Sequence, residues 1–146
     1  MGYYLQAFIC EEMHSDQFQV NFEKVKVVKL GQGICLIPMT EELFDEINRD
    51  YPSPGIEKFV YLTEYIEERM LSVVGDIRFA YIEAEYHGGQ GGQTGIIWSL
   101  KKREMFLPFG DEKINEVLRK FGAKAKVDMD EFLTLGFGMR RDTSEW

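Results

Sequence analysis

The chain is poor in the residues from which reactive sites are usually built. It has two cysteines, Cys10 and Cys35, and two histidines, His14 and His87. The cysteines are far apart and lack the Cys-x-x-Cys spacing of a redox or zinc motif. Both lie in apolar, strand-like runs and read as small buried hydrophobes. Basic residues are outnumbered, 17 Lys and Arg against 25 Asp and Glu, which leaves a net charge of −8. That balance argues against nucleic-acid binding, which needs a basic face. No apolar run is long enough to cross a membrane. No basic region followed by an apolar core stands near the start, so no signal peptide is expected and the cytoplasm is the expected compartment. Asn-x-Ser/Thr, internal repeats, low-complexity segments and long linkers are all absent.

What remains is a good core former. Hydrophobic residues make up 45% of the 146 positions and aromatic residues 14%, which fits one folded domain spanning 1–146. The segment 77–100 is the organising stretch. Ile82–Tyr86 and Ile96–Leu100 are rich in β-branched and aromatic residues and read as two strands of a hairpin. Ala80, Ile82, Ala84 and Tyr86 fall on one face; Phe79, Tyr81, Glu83 and Glu85 fall on the other. Ile96, Trp98 and Leu100 share a face on the return strand. Between them His87, Gly88, Gly89, Gln90, Gly91, Gly92 and Gln93 read as a flexible loop.

Around this hairpin the other elements follow in order. Tyr3–Cys10 is apolar on both sides and reads as an interior strand. Val25–Leu30 and Ile34–Met39 flank Gly31-Gln32-Gly33 and form a second hairpin signal. Thr40 is a good N-cap, with Glu41 and Glu42 at the positive end of a helix striped by Leu43, Phe44 and Ile47. Phe59, Leu62, Ile66, Met70 and Val73 recur at helical spacing and predict a helix over 57–73, closed by Gly75. Met105–Phe109 reads as a strand, Asp111 as the cap of a helix carrying Ile114, Val117, Leu118 and Phe121, and Asp128 as the cap of a short helix over 129–135. Trp146 is expected either to pack back on the body or to await a partner. The expected class is α+β: a mostly antiparallel sheet of five or six strands, with three or four helices packed chiefly on one face.

Three sets of residues are candidates for function. The first is the glycine loop, Gly88, Gly89, Gln90, Gly91, Gly92 and Gln93, as a ligand-binding segment. Glycine-rich loops can cradle anions. A nucleotide loop, however, ends in Lys-Ser/Thr and is backed by a helix, and here a strand follows. The second is Glu83, Glu85 and His87, which project at spacing two from one face of a strand. Two carboxylates and an imidazole suit a divalent metal, but the set is one ligand short. The plainer reading is a wet polar edge, in which Glu83→Gln and Glu85→Gln leave stability almost unchanged. Asp111 and Asn115 are further polar groups for such a site.

The third set is electrostatic. Between Glu41 and Glu68 stand nine carboxylates against two bases, Arg49 and Lys58, so this segment carries nearly all the net charge. Glu41, Glu42, Asp45, Glu64, Glu67 and Glu68 are candidates to meet a basic partner; the bland alternative is an ordinary solvated helix surface. His14, Ser15 and Asp16 are consecutive and cannot form a triad, because their side chains diverge. The expected function is therefore a non-catalytic protein-binding module with no cofactor, with homodimerisation as a further expectation. The alternative is a small-molecule or metal binder, or an enzyme, using residues 87–93.

Tyr81-Ile82-Glu83-Ala84-Glu85-Tyr86 followed by Gly88-Gly89-x-Gly91-x-Gln93 resembles a group of small uncharacterised bacterial proteins. Asp130-Glu131-Phe132-x-x-Leu135-Gly136 and the arginine-containing end with Trp146 are similar too. The likeness covers roughly the second half of the chain, with Leu36-Ile37-Pro38-Met39-Thr40 matching loosely. It implies no activity. It implies an aromatic residue where this chain has His87, which weighs against a metal there. In general type the chain also resembles toxin-immunity proteins, which implies an inhibitory binding role.

Overall fold

The computed structural model describes residues 2–146. Six strands form one sheet in the order β2-β3-β1-β4-β5-β6, and each neighbouring pair is antiparallel. The strands are β1 (Gly2–Glu11), β2 (Val28–Gly31), β3 (Ile34–Pro38), β4 (Phe79–His87), β5 (Gln90–Ser99) and β6 (Lys102–Gly110). The helices are α1 (Asp16–Gln19), α2 (Glu41–Asn48), α3 (Glu64–Val74), α4 (Lys113–Lys120) and α5 (Glu131–Thr134). The expected α+β class with an antiparallel sheet is therefore what the chain adopts.

β1 and β4 form the sheet centre, and both bury apolar side chains on both faces, as their sequences require. Tyr3, Leu5, Ala7 and Ile9 of β1 join Ala80, Ile82 and Ala84 of β4 in one core, roofed by α4, Phe137 and Trp146. Phe8 and Cys10 join Phe79, Tyr81, Ile96 and Trp98 in the other core, roofed by α1, α2 and α3. The greater part of the helix thus lies on that second face. Trp146 packs back: its ring lies 5.2 Å from that of Phe137, and the Arg140 guanidinium stacks over it at 4.5 Å.

Two expectations change in detail. Residues 57–63 are not helical. α3 begins at Glu64, where the Thr63 hydroxyl accepts the Ile66 N–H at 3.2 Å. Upstream, Glu57 adopts a positive φ of 45°, and Gly55 bridges to Thr63. Phe59 and Leu62 are buried all the same. Their spacing imitates a helix because the segment drops two anchors into the same core from a folded loop. The α4 and α5 starts also move inward, to Lys113 and Glu131, with Asp130 rather than Asp128 capping α5.

The second change concerns the glycines. The loop between β4 and β5 is only Gly88-Gly89, with φ of 60° and 80°, both positive as the tightest hairpin turn demands. Gln90, Gly91, Gly92 and Gln93 are strand residues paired with His87, Tyr86, Glu85 and Ala84. Gly91 has φ 148°, and a Cβ there would collide with the Glu85 carbonyl oxygen. A Cβ on Gly92 would meet the Phe109 ring at 2.8 Å. Gly88 and Gly89 make the turn, while Gly91 and Gly92 let chains approach. Leu100, expected on the strand face, lies in the next turn and is exposed.

Gly91→Ala is expected to cost about 3 kcal/mol, from positive-φ strain together with the clash. Gly55→Ala, with open space around it, should change stability by less than about 0.5 kcal/mol. Urea unfolding of the two variants measures the contrast.

Candidate functional site

The site arises where β3 leaves the sheet. β1 and β3 pair from Glu11↔Ile34 to Ala7↔Pro38. Beyond Pro38 the chain turns away into Thr40 and α2, with Met39 N–H still donating to the Gln6 carbonyl at 2.8 Å. The outer edge of β1 at Tyr4 and Gln6 has then lost its partner. The C-terminal segment takes the vacated place. Tyr4 N–H donates to the Arg141 carbonyl at 2.9 Å, and Gln6 N–H to the Thr143 hydroxyl at 3.0 Å. The Thr143 hydroxyl in turn donates to Gln6 Oε1 at 2.8 Å. The two diverging chains leave a fork.

That fork is an open groove of about 1020 Å³. Tyr4 and Gln6 form its floor. Met39, Thr40 and the first turns of α2 form one wall, and Asp142–Ser144 form the other. Glu41, Glu42 and Asp45 of α2 and Asp142 of the tail all line it, and among the described residues no Lys, Arg or His does. Local chemistry fixes each position. The Thr40 hydroxyl accepts the Leu43 N–H at 3.1 Å, which starts α2 with its acids in the first turns. Leu43 and Ile47 bury the opposite stripe, so Glu41, Glu42 and Asp45 stay exposed. Asp142 accepts from Ser144 N–H at 2.9 Å and from its hydroxyl at 2.7 Å, and these bonds hold its carboxyl below the usual range.

An aromatic corner closes one end. Tyr61 and Phe44 both line the groove, their rings edge to face at 5.5 Å. Tyr61 is set by Glu83, whose Oε1 accepts from Val60 N–H at 2.6 Å and whose Oε2 accepts from Tyr61 N–H at 3.0 Å. Tyr81 adds a hydroxyl donor to Oε2 at 2.7 Å. Burial raises the Glu83 carboxyl, against the lowering effect of these donors. Tyr81 is pushed far up by its own burial and by the Glu83 charge.

The candidates from the sequence therefore separate. Glu41, Glu42 and Asp45 meet at the groove. Glu64, Glu67 and Glu68 sit on α3 and do not line it. Glu67 is a structural partner, accepting from Trp98 Nε1 at 2.7 Å and from Arg103 at 2.6 and 2.8 Å. Glu83, Glu85 and His87 do not come together as a metal set, and among the described residues no group of three or more His, Cys, Asp or Glu is placed to hold a metal ion. Glu83 is 5% exposed with its oxygens already taken by donors, while Glu85 and His87 face outward. His87 Nδ1 instead lies 3.3 Å from the Tyr4 hydroxyl.

Of residues 88–93, Gly92 borders a void of about 20 Å³, room for one water. Gln93 has a structural task, its Oε1 accepting the Ile114 N–H at 2.8 Å to cap α4. Asn115 is likewise occupied, joining Asp130 at 3.0 Å and Phe132 N–H at 2.8 Å. The groove residues that sequence reasoning missed are Tyr4, Gln6, Tyr61 and Asp142. Only Asp142 carried a local signal, the Asp-x-Ser spacing of a capped turn.

Glu83→Gln is expected to destabilise by about 1–3 kcal/mol, because an amide keeps one acceptor and strands a backbone N–H. Glu85→Gln should stay within about 0.5 kcal/mol. The folded Glu83 carboxyl is raised above its unfolded value. Its contribution is therefore most favourable at acid pH, and is lost as pH rises from the ordinary carboxyl range through the folded value. The gap in stability between wild type and Glu83→Gln should narrow over that rise, and thermal melts across pH measure it. The chain matches no protein-family model, and neither a curated protein nor a solved structure is similar to it.

Proposed function

We propose that the chain is a binding module whose groove receives a basic segment of a partner protein. One observation carries the reading: Glu41, Glu42, Asp45 and Asp142 line one groove of about 1020 Å³, and among the described residues no cationic side chain lines it. An unneutralised concave surface of one sign focuses its field and raises the local concentration of opposite charge. The aromatic corner of Phe44 and Tyr61 supplies π surface for a guanidinium. The volume is at the upper end for small-molecule pockets, which leaves room for a segment of chain. The one hydroxyl–carboxylate contact described in the groove, Ser144 on Asp142, belongs to a capped turn in which Asp142 also accepts the Ser144 N–H, which supports a masking or inhibitory role. The type likeness to immunity proteins points the same way.

A short oligo-arginine peptide is expected to bind, more weakly as salt rises. Reversing Glu41, Glu42 and Asp45 together to Lys should weaken binding at least about tenfold. Reversing Glu64 and Glu68 on α3 should leave it within about twofold, since those residues are off the groove. Fluorescence anisotropy reads both. Equal loss in the two variants would mean only that overall charge attracts the peptide, and the groove reading would fail.

A further inference from the structure

Cys10 and Cys35 are the chain's two cysteines, both free and both fully buried. They are Cα partners on adjacent antiparallel strands, β1 and β3. Directly opposed residues point to the same face, and both thiols do sit in the core beneath α1–α3. The kind of pair follows from the ends of the ladder. Met39 N–H donates to the Gln6 carbonyl, and Glu12 N–H to the Gly33 carbonyl. Hydrogen-bonded and non-bonded pairs alternate along an antiparallel ladder. Counting along the register makes Cys10–Cys35 a hydrogen-bonded pair. Its Cα atoms then stand about 5.5 Å apart, inside the range of about 4.4–6.8 Å that a disulfide accepts. Cβ atoms of opposed residues lie about 4.5–5.5 Å apart, where a disulfide prefers about 3.5–4.5 Å. Closure therefore draws the strands together slightly and strains the link, and strained links are the easily reduced ones.

We propose that Cys10 and Cys35 form a reversible, redox-sensitive staple across β1 and β3. The two thiols differ in readiness. Burial and the neighbouring Cys35 push the Cys10 thiol up to about 12. Burial and Glu12 raise Cys35, but Lys29 acts in the opposite sense. Either sulfur can attack first, and the step balances equally in both orders. With Cys35 first, it loses its proton to solvent and attacks one sulfur of a small disulfide such as oxidised glutathione, releasing one glutathione thiolate. Cys10 then deprotonates and attacks the Cys35 sulfur, releasing the second. One S–S bond forms within the chain, one is broken in the oxidant, and two thiols are produced. Both thiols are fully buried in the core beneath α1–α3, so oxidation of the folded chain requires transient local opening of that cover. The staple lies on the same ladder that ends at Ala7↔Pro38, so it fixes β3 against β1 just above the groove.

The folded protein, incubated with oxidised glutathione and then with reduced glutathione, tests this by intact mass spectrometry. The expected result is loss of two hydrogens with a Cys10–Cys35 peptide after digestion, reversed by the reductant. Hydrogen exchange at the β3 amides should slow several-fold in the oxidised form. Cys10→Ser should stop at a single glutathione adduct. The proposal is overturned if the folded chain keeps both thiols while the urea-unfolded chain oxidises. It is equally overturned if only glutathione adducts or linked dimers form, or if β3 exchange is unchanged by the bridge.

Discussion

The backbone amides of Tyr4 and Gln6 must find acceptors once β3 departs at Pro38. An orphaned N–H next to a packed core costs about as much as the best single contact in it. The chain solves this with its last residues: Arg141 supplies a carbonyl and Thr143 a hydroxyl. That solution ties the two ends of the sequence together. The docked tail is then held from the side by Trp146 on Phe137, by Arg140 over Trp146, and by Lys26 donating to the Trp146 carbonyl. The groove is the space left between a strand that leaves and a tail that arrives, and its acids are those that happen to lie on each.

Charge in this protein serves two different ends. Glu46, Glu67 and Glu83 bind backbone amides, indole or guanidinium and hold loops in place. Glu41, Glu42, Asp45 and Asp142 cap helical turns or hang into solvent, and among the described residues no cationic side chain joins them in lining the groove. The two groups are interleaved in sequence, so counting carboxylates along 41–68 merges them. Glu83 belongs to the first group but shapes the second, because it places Tyr61 at the end of the groove.

The central hairpin was the most legible part. The strand cores at 82–86 and 96–99 follow from β-branched and aromatic residues, and apolar residues on both sides of β1 and β4 announce interior strands, while the extension of β5 back to Gln90 was not legible. The helix over 41–48 follows from Thr40 and its acidic first turn. Periodicity failed where it describes burial rather than conformation: Phe59 and Leu62 reach the core from a loop. Glycine failed as a loop marker for a related reason. A small residue is needed wherever two chains crowd, and Gly91 against the Glu85 carbonyl and Gly92 against Phe109 are crowding, not flexibility.

Sequence alone determined the class of fold, the interior place of β1 and β4 and the acidic α2 face, since these depend on residue type at short spacing. Tertiary structure alone decided that Glu83 is a buried anchor, that Cys10 opposes Cys35, and that Asp142 lines the same groove as Glu41. Those relations join residues far apart in the chain. They are set by strand register and by where β3 must stop, which is a property of the whole sheet and of no local stretch within it.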